Sequence, residues 1–101
     1  MRIEFSIEKD KNNVNDILFI DKQPVYSKYA PEKFVQRQIE AQLNPNIQNI
    51  IIFGVGLGYH LKYLNKHYPG LNIYAFEPAQ DIFDIFIKKY SAGITPAAKT
   101  F

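Results

Sequence analysis

Gly54, Gly56 and Gly58 stand between an apolar run and a segment of helical periodicity, and Glu77 ends the next apolar run. Glycine adopts backbone angles closed to other residues and lets a ligand come close to the main chain. A helix starting at Gly58 presents unpaired N–H groups and a partial positive charge. Together these suit an anionic or strongly polar group. In dinucleotide-binding folds an acidic residue about 20 positions further on accepts hydrogen bonds from ribose hydroxyls, and Glu77 has that place. Loop and carboxylate together suit a nucleoside or nucleotide. Val55, Leu57, Tyr59, His60 and Pro78 are the further candidates for the lining. The plainer alternative is that the glycines only permit a tight strand-to-helix turn.

Motif details narrow the choice. The pattern G-x-G-x-x-G needs Gly or Ala where Tyr59 stands, which disfavours a nicotinamide cofactor. The phosphate loop G-x-x-x-x-G-K-[ST] fails at Tyr59 and His60. His60 and His67 are spaced to share a helix face, but two histidines without a third ligand make no metal site. His60 could meet a phosphate or ribose, or could simply pack, and His67 suits a helix C-terminus. Asp81 suits the first turn of a helix, and Asp84 reads as a solvated residue. No residue stands out as a general base, so no catalytic residue is assigned.

The elements that must position these residues follow from the apolar spacing. Ile3, Phe5 and Ile7 alternate with polar residues, as in a half-buried strand. Residues 14–20 read as a second strand after a polar turn, forming a hairpin, and Val25-Tyr26 as a short third strand. Residues 31–43 read as a helix, with Pro31 in the first turn and Val35, Ile39 and Leu43 as its apolar stripe. Ile50 to Phe53 is a continuous apolar run, as in a parallel strand covered on both faces. A helix over 59–68, a strand over 71–76 and a helix over 79–90 follow. Ile82, Phe83, Phe86 and Tyr90 form the last helix's buried stripe. The expected fold is α/β: a small N-terminal β-hairpin or meander (1–26), a helix (31–43), and a partial Rossmann-like β-α-β-α unit with parallel strands (47–90). Residues 1–90 make one domain, and 91–101 read as a flexible tail. A right-handed crossover puts both later helices on one sheet face, leaving the 31–43 helix to cover the other.

The stretch Gly54-Val55-Gly56-Leu57-Gly58-Tyr59-His60, with Glu77-Pro78 after the second strand and Tyr26-Ser27-Lys28-Tyr29-Ala30-Pro31 ahead of a helix, resembles the N-terminal part of the motility-associated factor (Maf) glycosyltransferases. It is also similar to the related archaeal 6-hydroxymethylpterin diphosphokinases. The resemblance spans roughly residues 26–90. It implies a Rossmann-like part that binds an activated donor, a nucleotide sugar or ATP, with Gly54, Gly56, Gly58 and Glu77 lining the donor site. It adds Ser27, Lys28 and Tyr29 as possible ligand contacts, and Arg37 fits the family's helix. Phe34 and Val35 depart from it, where an acidic residue and an alanine are usual. Family members run far longer, so the expectation is a truncated or partial member, a transferase if active. The G-x-G-x-G loop is also similar to S-adenosylmethionine methyltransferases, in which the first acidic residue past the second strand holds the ribose.

Bulk properties set the remaining bounds. A chain of 101 residues with 47% hydrophobic and 15% aromatic residues is one small globular domain. A net charge of +2 with no basic run gives nucleic acid no electrostatic foothold. The absence of cysteine excludes disulfides and thiolate chemistry. No window suits a membrane span and no leader pattern opens the chain, so the expectation is a cytoplasmic protein. Unpaired sheet edges invite association, giving self-association, as a homodimer through a sheet edge, as the expected partnership and a non-catalytic assembly module as a third reading.

Overall fold

The computed structural model describes residues 4–44, 46–94 and 98–101. Its first layer is a meander of β1 (Phe5–Lys9), β2 (Asp16–Ile20) and β3 (Gln23–Pro24), all antiparallel. The β1–β2 turn is built around Asp10. Its carboxylate accepts from the amides of Asn12 and Val14 and from the Asn15 side chain. Those bonds, Val14's foremost, hold the Asp10 carboxyl below its ordinary value. Ile17 and Leu18 of β2 are fully buried and anchor the meander to the rest of the chain. The third strand falls two residues earlier than expected, although the Val25 amide still bonds Leu18 O at 2.8 Å.

Helix α1 (Pro31–Gln42) starts on proline and buries Val35 and Ile39, as the four-residue spacing requires. Strand β4 (Asn49–Phe53), helix α2 (Tyr59–His67) and strand β5 (Asn72–Phe76) form a parallel β-α-β crossover, with Ile50 beside Ile73 and Phe53 beside Phe76. Helix α3 (Gln80–Ile85) continues into a wider π-type turn, Phe86–Tyr90. The protein is thus mixed α/β: an antiparallel meander, then a helix, then a parallel sheet with its helices.

Two features differ from the sequence-based expectation. Residues 91–101 are not wholly a loose tail. Ala98–Thr100 form β6, which pairs parallel to β5 and gives the strand order β4-β5-β6. Three residues are too few to show a period of two. Helix α1 does not cover the second sheet face, since it packs beside α2 and its Val35 and Ile39 join the common core. That core holds Leu61, Leu64, Ile73, Ala75, Ile82 and Phe86, and it lies on one side of the parallel sheet. On the other side Ile51 is 71% and Phe53 79% exposed. Among the described residues no helix is long and apolar enough to cross a membrane.

Candidate functional site

The glycine loop runs from the end of β4 to the start of α2, at the C-terminal rim of the parallel sheet. Gly54, Gly56 and Gly58 all have positive φ (95°, 58° and 84°), conformations that glycine adopts at little cost. The ladder extends into the loop, where the Gly54 amide donates to Phe76 O at 2.7 Å. Val55 and Leu57 point into the core, 2% exposed each.

Glu77 faces this loop. One carboxylate oxygen accepts from the Gly56 amide at 2.9 Å and the other from the Ala79 amide at 3.0 Å. Glu77 therefore ties the loop to the turn that begins α3. It is half-buried, and each oxygen retains a lone pair for a further donor. Pro78 lies exposed in the same turn.

Sequence reasoning missed the part of Tyr26. Its ring is buried, and its hydroxyl accepts from the Leu57 amide at 3.0 Å. Burial, with Glu77 adding to it, pushes the phenol up to about 12. The Gly58 amide bonds Val55 O at 3.0 Å. The amides of Gly56, Leu57 and Gly58 are thus already paired within the protein, whereas the spacing alone suggested bare donors. Two of the glycines are explained in the same way. A Cβ on Gly56 would come within 2.5 Å of the Tyr26 hydroxyl, and one on Gly58 would meet the Phe86 ring. Only Gly54 looks onto open space, with nothing within 4 Å of a Cβ placed there. Larger residues at 56 would collide first with the protein, not with a ligand. Helix α2 begins at Gly58 without a side-chain cap, so the positive end of its dipole is not neutralised there.

The remaining candidates divide. Tyr59 donates its hydroxyl to Asp16 O at 2.7 Å and sets its ring edge-on to Tyr26, 4.8 Å between centroids. It joins the meander to α2. Asp16 also receives Tyr90 OH at 2.7 Å and Lys9 Nζ at 2.8 Å, and these hold its carboxyl below the ordinary value, Lys9 foremost. His60 Nε2 bonds Gln38 Oε1 of α1 at 2.8 Å, and burial lowers its pKa. It lines a groove of about 440 Å³ with Ile39, Leu43, Ile50 and Ile52. Ser27 Oγ accepts from the Tyr29 and Ala30 amides, shaping the turn into α1. Lys28 O and Tyr29 O accept from Lys11 and Asn12 of the β1–β2 turn. The contacts of 27–29 therefore run to the meander and α1. Among the described residues no three His, Cys, Asp or Glu are grouped to hold a metal ion.

What these elements define is an α/β domain whose parallel sheet ends in a glycine loop latched by a carboxylate from the neighbouring strand. The model of the glycosyltransferase Maf N-terminal domain matches residues 6–85, which take in the meander, α1, the β4–α2–β5 crossover and α3. The chain belongs to that family, and with it to a transferase group. Comparison with curated proteins gives no match.

Proposed function

We propose that the chain holds a nucleotide-type ligand, such as a nucleotide sugar or ATP, at the rim formed by Gly54 and Glu77. The observation that carries this reading is the Glu77 carboxylate, fixed by two amides at the end of β5 beside the one loop glycine that faces open space. With the loop amides occupied, the reading rests on ribose hydroxyls donating to Glu77, as at the rim of a Rossmann-like sheet. An anionic group would then lie towards the uncapped start of α2. Membership of a transferase family accords with a donor bound in this way.

Thermal denaturation with CMP, UDP, ATP, S-adenosylmethionine and S-adenosylhomocysteine tests it. A ligand at about 100 times its Kd stabilises by roughly 2.7 kcal/mol, which moves the melting temperature of a domain this size by several degrees. Glu77→Gln is expected to lower the melting temperature of the free protein, because one of the two loop and turn amides then faces an NH2 donor in place of its acceptor oxygen. That NH2 can only donate, so it cannot accept from the amide that the oxygen served. The variant is also expected to shrink the ligand-induced shift, which is the decisive reading. A response confined to the methyl donor or its product would replace the nucleotide assignment, and silence to all five would remove it.

The free edge of β4 favours self-association as a second property. In the order β4-β5-β6 this strand is outermost, and Asn49-Ile50-Ile51-Ile52-Phe53 has no charge or proline to blunt it. A second copy pairing antiparallel to β4 about a two-fold axis would join the two sheets. Light scattering is expected to give a dimer mass that Ile51→Lys reduces to the monomer. Monomer mass at every concentration of the parent protein would exclude the pairing.

A further inference from the structure

The far face of the parallel sheet changes character along its strands. At the N-terminal end Asn49 and Asn72 are paired in register, and the Asn72 side chain donates to Asn49 Oδ1 at 3.2 Å. Ile51 and Tyr74 sit opposite each other in the middle. At the C-terminal rim three phenylalanines come together. Phe53 and Phe76 are register partners, and the Phe76 and Phe101 rings stack at 4.9 Å, 16° from parallel. Phe53 is 79% exposed, Phe101 54% and Phe76 36%. A face meant only to receive a helical layer would be apolar throughout, as parallel sheets usually are. Here the face runs from an asparagine pair through Ile51 to three phenylalanines at the rim where the candidate ligand site lies.

The connections to that site are direct. Phe53 precedes Gly54, and Phe76 precedes Glu77. The Gly54 amide bonds Phe76 O, and the Glu77 amide bonds Phe101 O at 3.0 Å. Each of the three rings is therefore carried by backbone that also positions the loop glycine or the carboxylate. Among the described residues no ring pairs with Phe53, and at 79% exposure most of it is open to solvent. Every nucleobase has a π-face that stacks on such a ring with little regard to sequence.

The geometry points to Phe53, with the stacked Phe76–Phe101 pair beside it, as a shelf for the planar base of the ligand whose ribose Glu77 holds. This rests on the nucleotide reading above and adds the requirement for an aromatic base. Selection comes from the presence of a base more than from its identity, so pyrimidine and purine nucleotides bind with similar affinity, while base-free ribose 5-phosphate binds far more weakly.

The chain contains no tryptophan, so Phe53→Trp gives a single reporter at the shelf. Its fluorescence is expected to be quenched by CMP, UDP or ATP and unchanged by ribose 5-phosphate. Phe53→Ser touches no core residue and is expected to weaken nucleotide binding about tenfold, with the melting temperature of the free protein unchanged. Nucleotide affinity equal in Phe53→Ser and the parent, while Glu77→Gln still weakens binding, would overturn the shelf and leave the ribose site standing. The reverse pattern would keep the shelf and remove the ribose role of Glu77. Absence of nucleotide binding in the parent protein overturns both.

Discussion

Alanine at Gly58 is expected to cost about 3 kcal/mol of stability, and removal of the Phe86 ring by Phe86→Ala about 4 kcal/mol. The two costs share a cause. Gly58 sits at φ +84°, which costs an L-residue about 1–2 kcal/mol. A Cβ there would also strike the Phe86 ring, which is wholly buried. Gly54→Ala separates the terms, since its φ is also positive but its surroundings are open; about 1–2 kcal/mol is expected. In the double variant Gly58→Ala/Phe86→Ala the collision disappears, so the combined loss should fall short of the two single losses added together. Denaturant unfolding measures all four proteins. Equal losses for Gly54→Ala and Gly58→Ala would mean that backbone angle alone selects glycine at 58.

This contact also shows where sequence reasoning stops. The buried stripe of the last helix was legible from its spacing, and Ile82 and Phe86 are indeed enclosed. The loop glycines were legible as a cluster. That Phe86 closes on one of them was not, because a glycine carries no mark of the neighbour that requires it. Tyr26 was still less visible. It lies about thirty positions before the amide it accepts from, and a lone tyrosine beside a turn has no periodic context. The stripe of α1 established a buried side but not its partner, so the helix that was expected beneath the sheet lies alongside α2. The apolar run at Ile50 to Phe53 implied cover on both faces, and the protein covers one. What carried through was local: the strand, loop, helix and strand, and a glutamate that does turn back to the loop. The carboxylate was found by its distance along the chain, but its pairing with the Gly56 and Ala79 amides depends on how the α3 turn folds over.

Tyr26 gives the second large effect, a loss of stability as the pH rises from about 10 to about 12. The phenol has its ordinary value of 10.0 in the unfolded chain and about 12 in the folded one. Below pH 10 both states hold the proton, and the full contribution is present. Between the two values the unfolded chain releases its proton and the folded chain does not. Each pH unit in that window then favours unfolding by about 1.4 kcal/mol, which sums to roughly 2–3 kcal/mol over the whole window. Tyr59, raised by burial to about 12, and Tyr90, raised by burial and by Asp16, act in the same direction. The informative comparison is with Tyr26→Phe. That variant leaves the Leu57 amide without its acceptor and is expected to be less stable by about 1–3 kcal/mol at neutral pH. It also lacks the titrating group, so its stability should fall less steeply above pH 10. The gap between the two proteins, measured as denaturant midpoints, should narrow as the solution becomes alkaline. A gap of constant width from pH 7 to 12 would mean that the Tyr26 hydroxyl meets water in the folded state, and the loop would then be open where the structure shows it latched.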